Sequence, residues 1–246
     1  MTTLCPIGPL RVTEPKTANY SVQAGELVLC DVATTGSFTV TLPASPRINH
    51  SIGVKLQTAS GARTVTLARN GNTIGGAAAD QILYVAGDCL QLQFDGAGDW
   101  LIAVDGLIPH ACSLRRNTAQ SIPSGTTTKI DLNNVLIDQG QLGDPTTNNR
   151  IDIRRSGIYL LTASLYLPGF VLPQSLTGRM RVNGSDVSTE QVLANAALGL
   201  RCSWPHEHPL TAGDFVELFV DQNTGSNQST STTASIMPTL AVRELR

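Results

Sequence analysis

The chain has 246 residues, of which 17 are basic and 19 acidic, for a formal charge of -2 with only 15% charged residues. So low and balanced a charge excludes a disordered acidic tail, and it excludes a protein whose main task is to neutralise nucleic-acid phosphates. At 41% apolar residues a core can be buried, yet no apolar run is long enough to cross a bilayer as a helix.

The opening Met1-Thr2-Thr3-Leu4-Cys5-Pro6 lacks the basic start and apolar stretch of a secretory signal. The five cysteines (Cys5, Cys30, Cys89, Cys112, Cys202) are odd in number, unclustered and without a Cys-x-x-Cys pair, which predicts free, mostly buried thiols in a chain folded under reducing conditions. Residues 1–19 carry Pro6, Pro9 and Pro15 with no apolar period, so an extended N-terminal arm is expected there. Residues 20–106 follow as a small β-domain and 107–246 as a second, more apolar run, with Asp105-Gly106 and Pro109 marking the boundary.

The first run alternates. In 36–43, Phe38, Val40 and Leu42 face one way and Thr39 and Thr41 the other; Val65 and Leu67 alternate with Thr64 and Thr66; Leu90, Leu92 and Phe94 alternate with Gln91 and Gln93. Period-two patterns of this kind predict half-buried strands. Asn70-Gly71, Asp95-Gly96 and Gly98-Asp99 supply the positive backbone dihedrals of tight hairpin turns.

The second run is apolar on both strand faces. In 158–167, Ile158, Leu160 and Tyr166 share one face while Tyr159, Leu161, Ala163, Leu165 and Leu167 share the other; in 215–220, Phe215 and Phe219 oppose Val216, Leu218 and Val220. An antiparallel strand ordinarily leaves one face to water. A second covering layer is therefore expected, and a neighbouring subunit is its simplest source. This predicts a closed homo-oligomer with Tyr159, Leu161, Leu165, Phe215 and Phe219 in the core or the interface. The alternative is cover from the chain's own loops or first domain. Only 189–200 shows helical spacing, and it fits a strand or loop equally well; the polar, low-complexity stretch 221–235 predicts a long surface loop with an edge strand at its end.

Motifs for catalysis are missing: there is no Gly-x-Ser-x-Gly elbow, His-Glu-x-x-His, phosphate loop or Gly-x-Gly-x-x-Gly. Neither enzymatic activity nor a cofactor is expected, and Asp131, Asp138, Asp144 and Asp152 are expected in turns and at the surface. In Cys202-Ser203-Trp204-Pro205-His206-Glu207-His208-Pro209, an extended strand puts His206 and His208 on one side, where two imidazoles can share a metal. The flanking prolines favour an edge or loop where histidines are simply solvated, so no metal is expected and this pair is the sole candidate. Trp204 could stack on a sugar, making Trp204, His206 and His208 the candidate receptor or glycan contacts. Aromatics total 4%, too few for an aromatic-rich groove, and core packing is the competing role for Trp204. Arg115-Arg116, Arg154-Arg155, Arg179 and Arg181 could meet anionic polysaccharide or a neighbouring subunit's acids, or be solvated or salt-bridged.

Several pieces of the second run are similar, in order and spacing, to the trimeric jelly-roll family of complement globular heads and tumour-necrosis-factor ligands. Ala119-Gln120-Ser121-Ile122-Pro123-Ser124-Gly125 followed by 126–132 resembles its opening strand and turn, and Asn149-Arg150-Ile151-Asp152-Ile153 leading to Ser156-Gly157-Ile158-Tyr159 resembles its central strand. Arg181-Val182-Asn183-Gly184 resembles its mid-domain hairpin, Leu210-Thr211-Ala212-Gly213-Asp214-Phe215 its late strand entry, and 240–245 its closing strand. The first run resembles a β-rich module of tailed-phage appendage proteins through Ala24-Gly25-Glu26-Leu27, Leu42-Pro43-Ala44, Asn70-Gly71-Asn72 and Asp95-Gly96-Ala97-Gly98-Asp99-Trp100.

Together the resemblances imply an all-β chain, with a small β-domain followed by an oligomeric jelly-roll sandwich, a trimer being the family expectation. They imply a structural protein of a tailed-phage virion, assembled in the host cytoplasm: a head or tail fibre or spike that docks on other virion proteins. Its jelly roll would be offered to host surface polysaccharide, with no nucleic acid bound and no membrane insertion. The alternative is a capsid decoration protein that cements the head and has no host ligand.

Overall fold

The structure, a computed structural model, describes residues 9–61, 63–194 and 198–245. Cys5 and Pro6 of the expected arm lie outside these residues. The chain divides into two compact units, Met1–Ile108 and Pro109–Arg246.

In the first unit the strands are β1 (Arg11–Val12), β2 (Tyr20–Ser21), β3 (Glu26–Asp31), β4 (Phe38–Thr41), β5 (Ser51–Thr58), β6 (Val65–Ala68), β7 (Thr73–Ile74), β8 (Gln81–Leu83), β9 (Cys89–Phe94) and β10 (Asp99–Gly106). They form two sheets, ordered β1-β3-β5-β9-β10-β7 and β2-β4-β6-β8. The chain thus steps from one sheet to the other strand by strand, and β1, β3 and β5 pair in parallel, as do β2, β4 and β6. The alternating side chains explain this. Val28, Ile52, Val54, Leu90 and Trp100 from one sheet meet Phe38, Val40, Val65, Leu67 and Leu83 from the other in a single buried cluster.

The turn signals separate accordingly. Asp95-Gly96 does join the antiparallel pair β9 and β10, with the Asp95 carboxylate accepting from Ala97 N (2.7 Å) and Asp99 N (3.0 Å). Asn70 and Gly71 have the expected positive φ (51° and 95°), yet they link β6 of one sheet to β7 of the other. The dipeptide makes a corner here instead of a hairpin, because the following strand continues the coil.

Residues 9–19 are extended and tied down. β1 runs parallel to β3, and Lys16 bridges to Cys30. Arg11 forms an ion pair with Glu26, a carboxylate almost wholly buried. Burial alone would raise the Glu26 pKa. The Gln23 N–H and the Tyr20 hydroxyl, both at 2.9 Å, together with Arg11, outweigh that and hold it below the usual carboxylate value.

The second unit comprises β11 (Ala111–Arg115), β12 (Ser121–Ile122), β13 (Thr128–Lys129), β14 (Asn134–Gln139), β15 (Gly143–Asp144), β16 (Arg150–Asp152), β17 (Gly157–Phe170), β18 (Ser175–Val182), β19 (Ser185–Leu193), β20 (Leu198–Leu210), β21 (Phe215–Gln222), β22 (Gln228–Ser229) and β23 (Thr239–Leu245). A front sheet, β14-β11-β23-β17-β20, and a back sheet, β15-β16-β21-β18-β19 with β13 on β21, are antiparallel throughout. From β16 in the back sheet the chain crosses to β17 in the front, returns to the β18–β19 hairpin at the back, and then alternates through β20, β21 and β23, which brings β16 beside β21 and β17 beside β23. This is a jelly roll. Tyr159, Leu161, Ala163, Leu165 and Leu167 from the front face Leu176, Met180, Val216, Leu218 and Val220 from the back across one core.

Asn183-Gly184 turns β18 into β19 with φ of 50° and 81°; the Asn183 amide donates to Asp214 Oδ1 (2.8 Å), and its oxygen accepts from Phe215 N (3.0 Å). The opening front strand is β11, not the segment 119–132, which holds only the two-residue β12 and β13. The stretch with helical spacing is strand at both ends: 189–193 close β19 and 198–200 open β20, with 195–197 outside the described residues. Cross-strand pairing on each side outweighs the helix propensity of its alanines. The polar stretch 221–235 begins inside β21, contributes β22 against β12, and ends in a single 3-10 turn, Ala234–Ile236.

Tyr20→Phe removes a donor from the buried Glu26 carboxylate. We expect the variant to lose about 1.5–3 kcal/mol, read from the urea midpoint; an unchanged midpoint would show that the hydroxyl is dispensable.

Candidate interaction surface

The pleat sends alternate side chains of each sheet outward, and the two outer faces of the sandwich are finished differently. On the back sheet, β21 presents Phe215, Glu217, Phe219 and Asp221. The Arg150 guanidinium lies over the Phe215 ring and that of Arg181 over the Phe219 ring, each 4.1 Å from the ring centroid. Lys129 pairs with Glu217, Arg179 reaches Asp221 (2.6 Å) and Asp186 (2.9 Å), and Arg181 also pairs with Asp186. Arg181 and then Arg179 hold the Asp186 carboxyl below its usual value, and the hydrogen bond to Asp221 raises that of Arg179. The second layer that Phe215 and Phe219 require is thus supplied within the chain by cations on β16 and β18. These two residues lie on the outer face of the back sheet, half-buried beneath those cations. Tyr159, Leu161 and Leu165 are core residues, fully enclosed by the sandwich.

Among the described residues, the front sheet has no such cover. Register places Ile137, Ser113, Ala241, Thr162 and Pro205 in one row across β14, β11, β23, β17 and β20, and Gln139, Ala111, Arg243, Leu160 and Glu207 in the next. The small side chains at the centre leave a shallow apolar trough between Ile137 and Leu160. Ile137 is 58% exposed and Ile158 54%, with Val135 and Leu136 also open to solvent. None of these was singled out as a binding residue from the sequence, although the run Val135-Leu136-Ile137 was a readable signal for it.

On β20 the outward residues are Ser203, Pro205, Glu207 and Pro209, while Cys202, Trp204, His206, His208 and Leu210 turn toward the core side. Trp204 is 5% exposed, and a Cβ on the facing Gly178 would lie 2.2 Å from its ring. The expected glycan contact at Trp204 is therefore replaced by core packing: the indole fills the space that a missing side chain leaves in the opposite sheet. His206 and His208 are half-buried, with ring centroids 5.5 Å apart. β20 is an edge strand, where Pro205 and Pro209, four residues apart, can both turn the side lacking a donor to the open edge.

The other polar candidates are tied into the surface. Arg155 meets Glu244 (3.3 Å) and Arg116 approaches Asp131 (4.0 Å). Asp138 accepts from Leu142 N (2.7 Å), Asp144 from Thr147 N (2.9 Å), and Asp152 pairs with Arg150 (2.7 Å). Among the described residues the cysteines are free; burial pushes the Cys30 thiol up to about 12 and that of Cys202 up to about 11. Among the described residues no group of three or more His, Cys, Asp or Glu could hold a metal ion, and no helix is long and apolar enough to cross a membrane.

Comparison with protein-family models finds no match, and comparison with curated proteins finds none either. Among solved structures, murine APRIL at pH 5.0 is 13% identical with a TM-score of 0.44, over 56% of this chain and 100% of that one. The Eiger TNF structure from S. frugiperda is 13% identical with a TM-score of 0.41, over 56% of this chain and 94% of that one. The globular domain of zebrafish complement 1qA is 15% identical with a TM-score of 0.41, over 55% and 96%. The jelly-roll assignment rests on the strand order itself.

Because the folded Asp186 pKa lies below its ordinary 3.8, the stability this carboxylate contributes is present above that value and lost as pH falls through the lower folded one. Asp186→Asn should be less stable than the parent by under about 1 kcal/mol near neutrality, since the network is partly solvated. The gap should narrow progressively in urea titrations as pH falls below 3.8; a gap independent of pH would show that the ionised carboxylate contributes nothing.

Proposed function

We propose that this chain is a non-enzymatic structural protein of a tailed-phage virion, a head or tail fibre or spike that associates with copies of itself through the outer face of its front sheet. One observation carries the self-association: the back sheet hides its outward phenylalanines under its own arginines, whereas the front sheet leaves the trough around Ile137, Ala241 and Leu160 bare. Burying such a surface is favourable at roughly 25 cal/mol per Å² of apolar area. Its small central side chains let another sheet approach closely. A closed ring, a trimer in this reading, would leave no bare copy of the face.

The virion assignment is supported by the succession of motifs in 24–100 that resembles a phage-appendage module. In this reading the first unit docks on other virion proteins and the jelly roll meets host surface polysaccharide. Several weak sites held in one oligomer gain avidity without any single tight contact. Such work suits a chain whose carboxylates and arginines are largely committed to each other.

Sedimentation velocity tests the assembly. The parent chain should run as one oligomer at micromolar concentration, and Ile137→Glu combined with Ala241→Arg should run as a folded monomer with unchanged circular dichroism. A parent that stays monomeric would overturn the self-association. Particles carrying the chain without residues 107–246 should lose adsorption to host cells; loss of capsid robustness with adsorption intact would point to a cement role.

A further inference from the structure

We propose that His206 and His208 form a two-imidazole binding site for a first-row divalent cation of the zinc or nickel type. The site is independent of the trough on the front sheet, because both histidines turn to the opposite side of that sheet.

Three observations converge. First, β20 is extended, so residues two apart share a side, and register sets His206 opposite Leu161 and His208 opposite Tyr159 on the central strand β17. Second, the Nε2 atom of His206 is sealed from solvent and has no hydrogen-bond partner. A buried ring nitrogen ordinarily finds one, and a neutral imidazole nitrogen with a free lone pair is a strong ligand for such ions. Third, the ring centroids are 5.5 Å apart. With metal–nitrogen bonds of about 2.0–2.1 Å, each ring centre would lie about 3.2 Å from the ion, so this separation corresponds to a ligand angle of about 120°, near the tetrahedral opening.

The place on the fold suits the role. β20 is the edge strand of the front sheet, so an ion would reach the sealed Nε2 by displacing side chains at that edge and not by parting two paired strands. The nearest alternating residues, Glu207 and Pro209, point to the other face and do not close the coordination sphere. Two positions of a tetrahedral ion are left for water or for a donor on a bound molecule. The site is thus of the open kind, able to link this strand to a carboxylate or imidazole supplied from outside the chain.

Titration calorimetry of the purified chain with zinc chloride, and separately with nickel chloride, tests the proposal. About one ion should bind per chain. His206→Ala and His208→Ala should each weaken binding about a hundredfold, because the second imidazole acts as an intramolecular ligand. Ser203→Ala, on the outward face, should leave binding unchanged. In the parent chain, imidazole resonances of His206 and His208 should shift on adding zinc, while those of His50 and His110 stay in place, a readout that needs no folded variant. No binding by the parent, equal binding by the histidine variants, or shifts spread over all four histidines would overturn the site.

Discussion

The period-two pleat is the constraint from which the second unit follows. A strand as apolar as β17 or β21 cannot hide both of its faces in one core. Turning Tyr159, Leu161 and Leu165 inward sends Ile158 and Leu160 out, and turning Val216, Leu218 and Val220 inward sends Phe215 and Phe219 out. One sandwich therefore has two apolar outer faces to finish. Cation–ring contacts and a carboxylate ladder finish the back one, while among the described residues the front one keeps Ile137 and Ile158 open to solvent.

Much of this was written in the alternation of residues. The inward sets of β4, β6 and β9 follow from short-range patterns, while the Asn183-Gly184 hairpin and the closing strand β23 were implied by the resemblance to the jelly-roll family. What alternation cannot supply is the partner of each strand. Asn70-Gly71 specifies a tight reversal of backbone direction, yet whether the next segment pairs with the last one depends on residues far away in sequence; here it joins the other sheet. The family resemblance implied an opening strand in 119–132, whereas the front sheet takes 111–115 instead.

The site chemistry was legible to a different depth. That His206 and His208 share a side follows from their spacing; that the side is the inner one follows from Trp204 two residues earlier, held against Gly178. The fate of Phe215 and Phe219 depended on Arg150 and Arg181, distant in sequence and adjacent only after folding. An apolar outward strand could not by itself distinguish a subunit contact from an arginine lid.

The strand-by-strand stepping of the first unit has a consequence for how such a chain can change length. Because β1, β3 and β5 stack in parallel, as do β2, β4 and β6, every circuit adds a rung in the same direction to each sheet. Inserting or deleting a full circuit moves the end of the stack without altering the register of the rungs that remain. Antiparallel pairing of β9 on β5 and of β8 on β6 terminates that growth. A scaffold made this way is a ruler that can be re-cut in whole divisions.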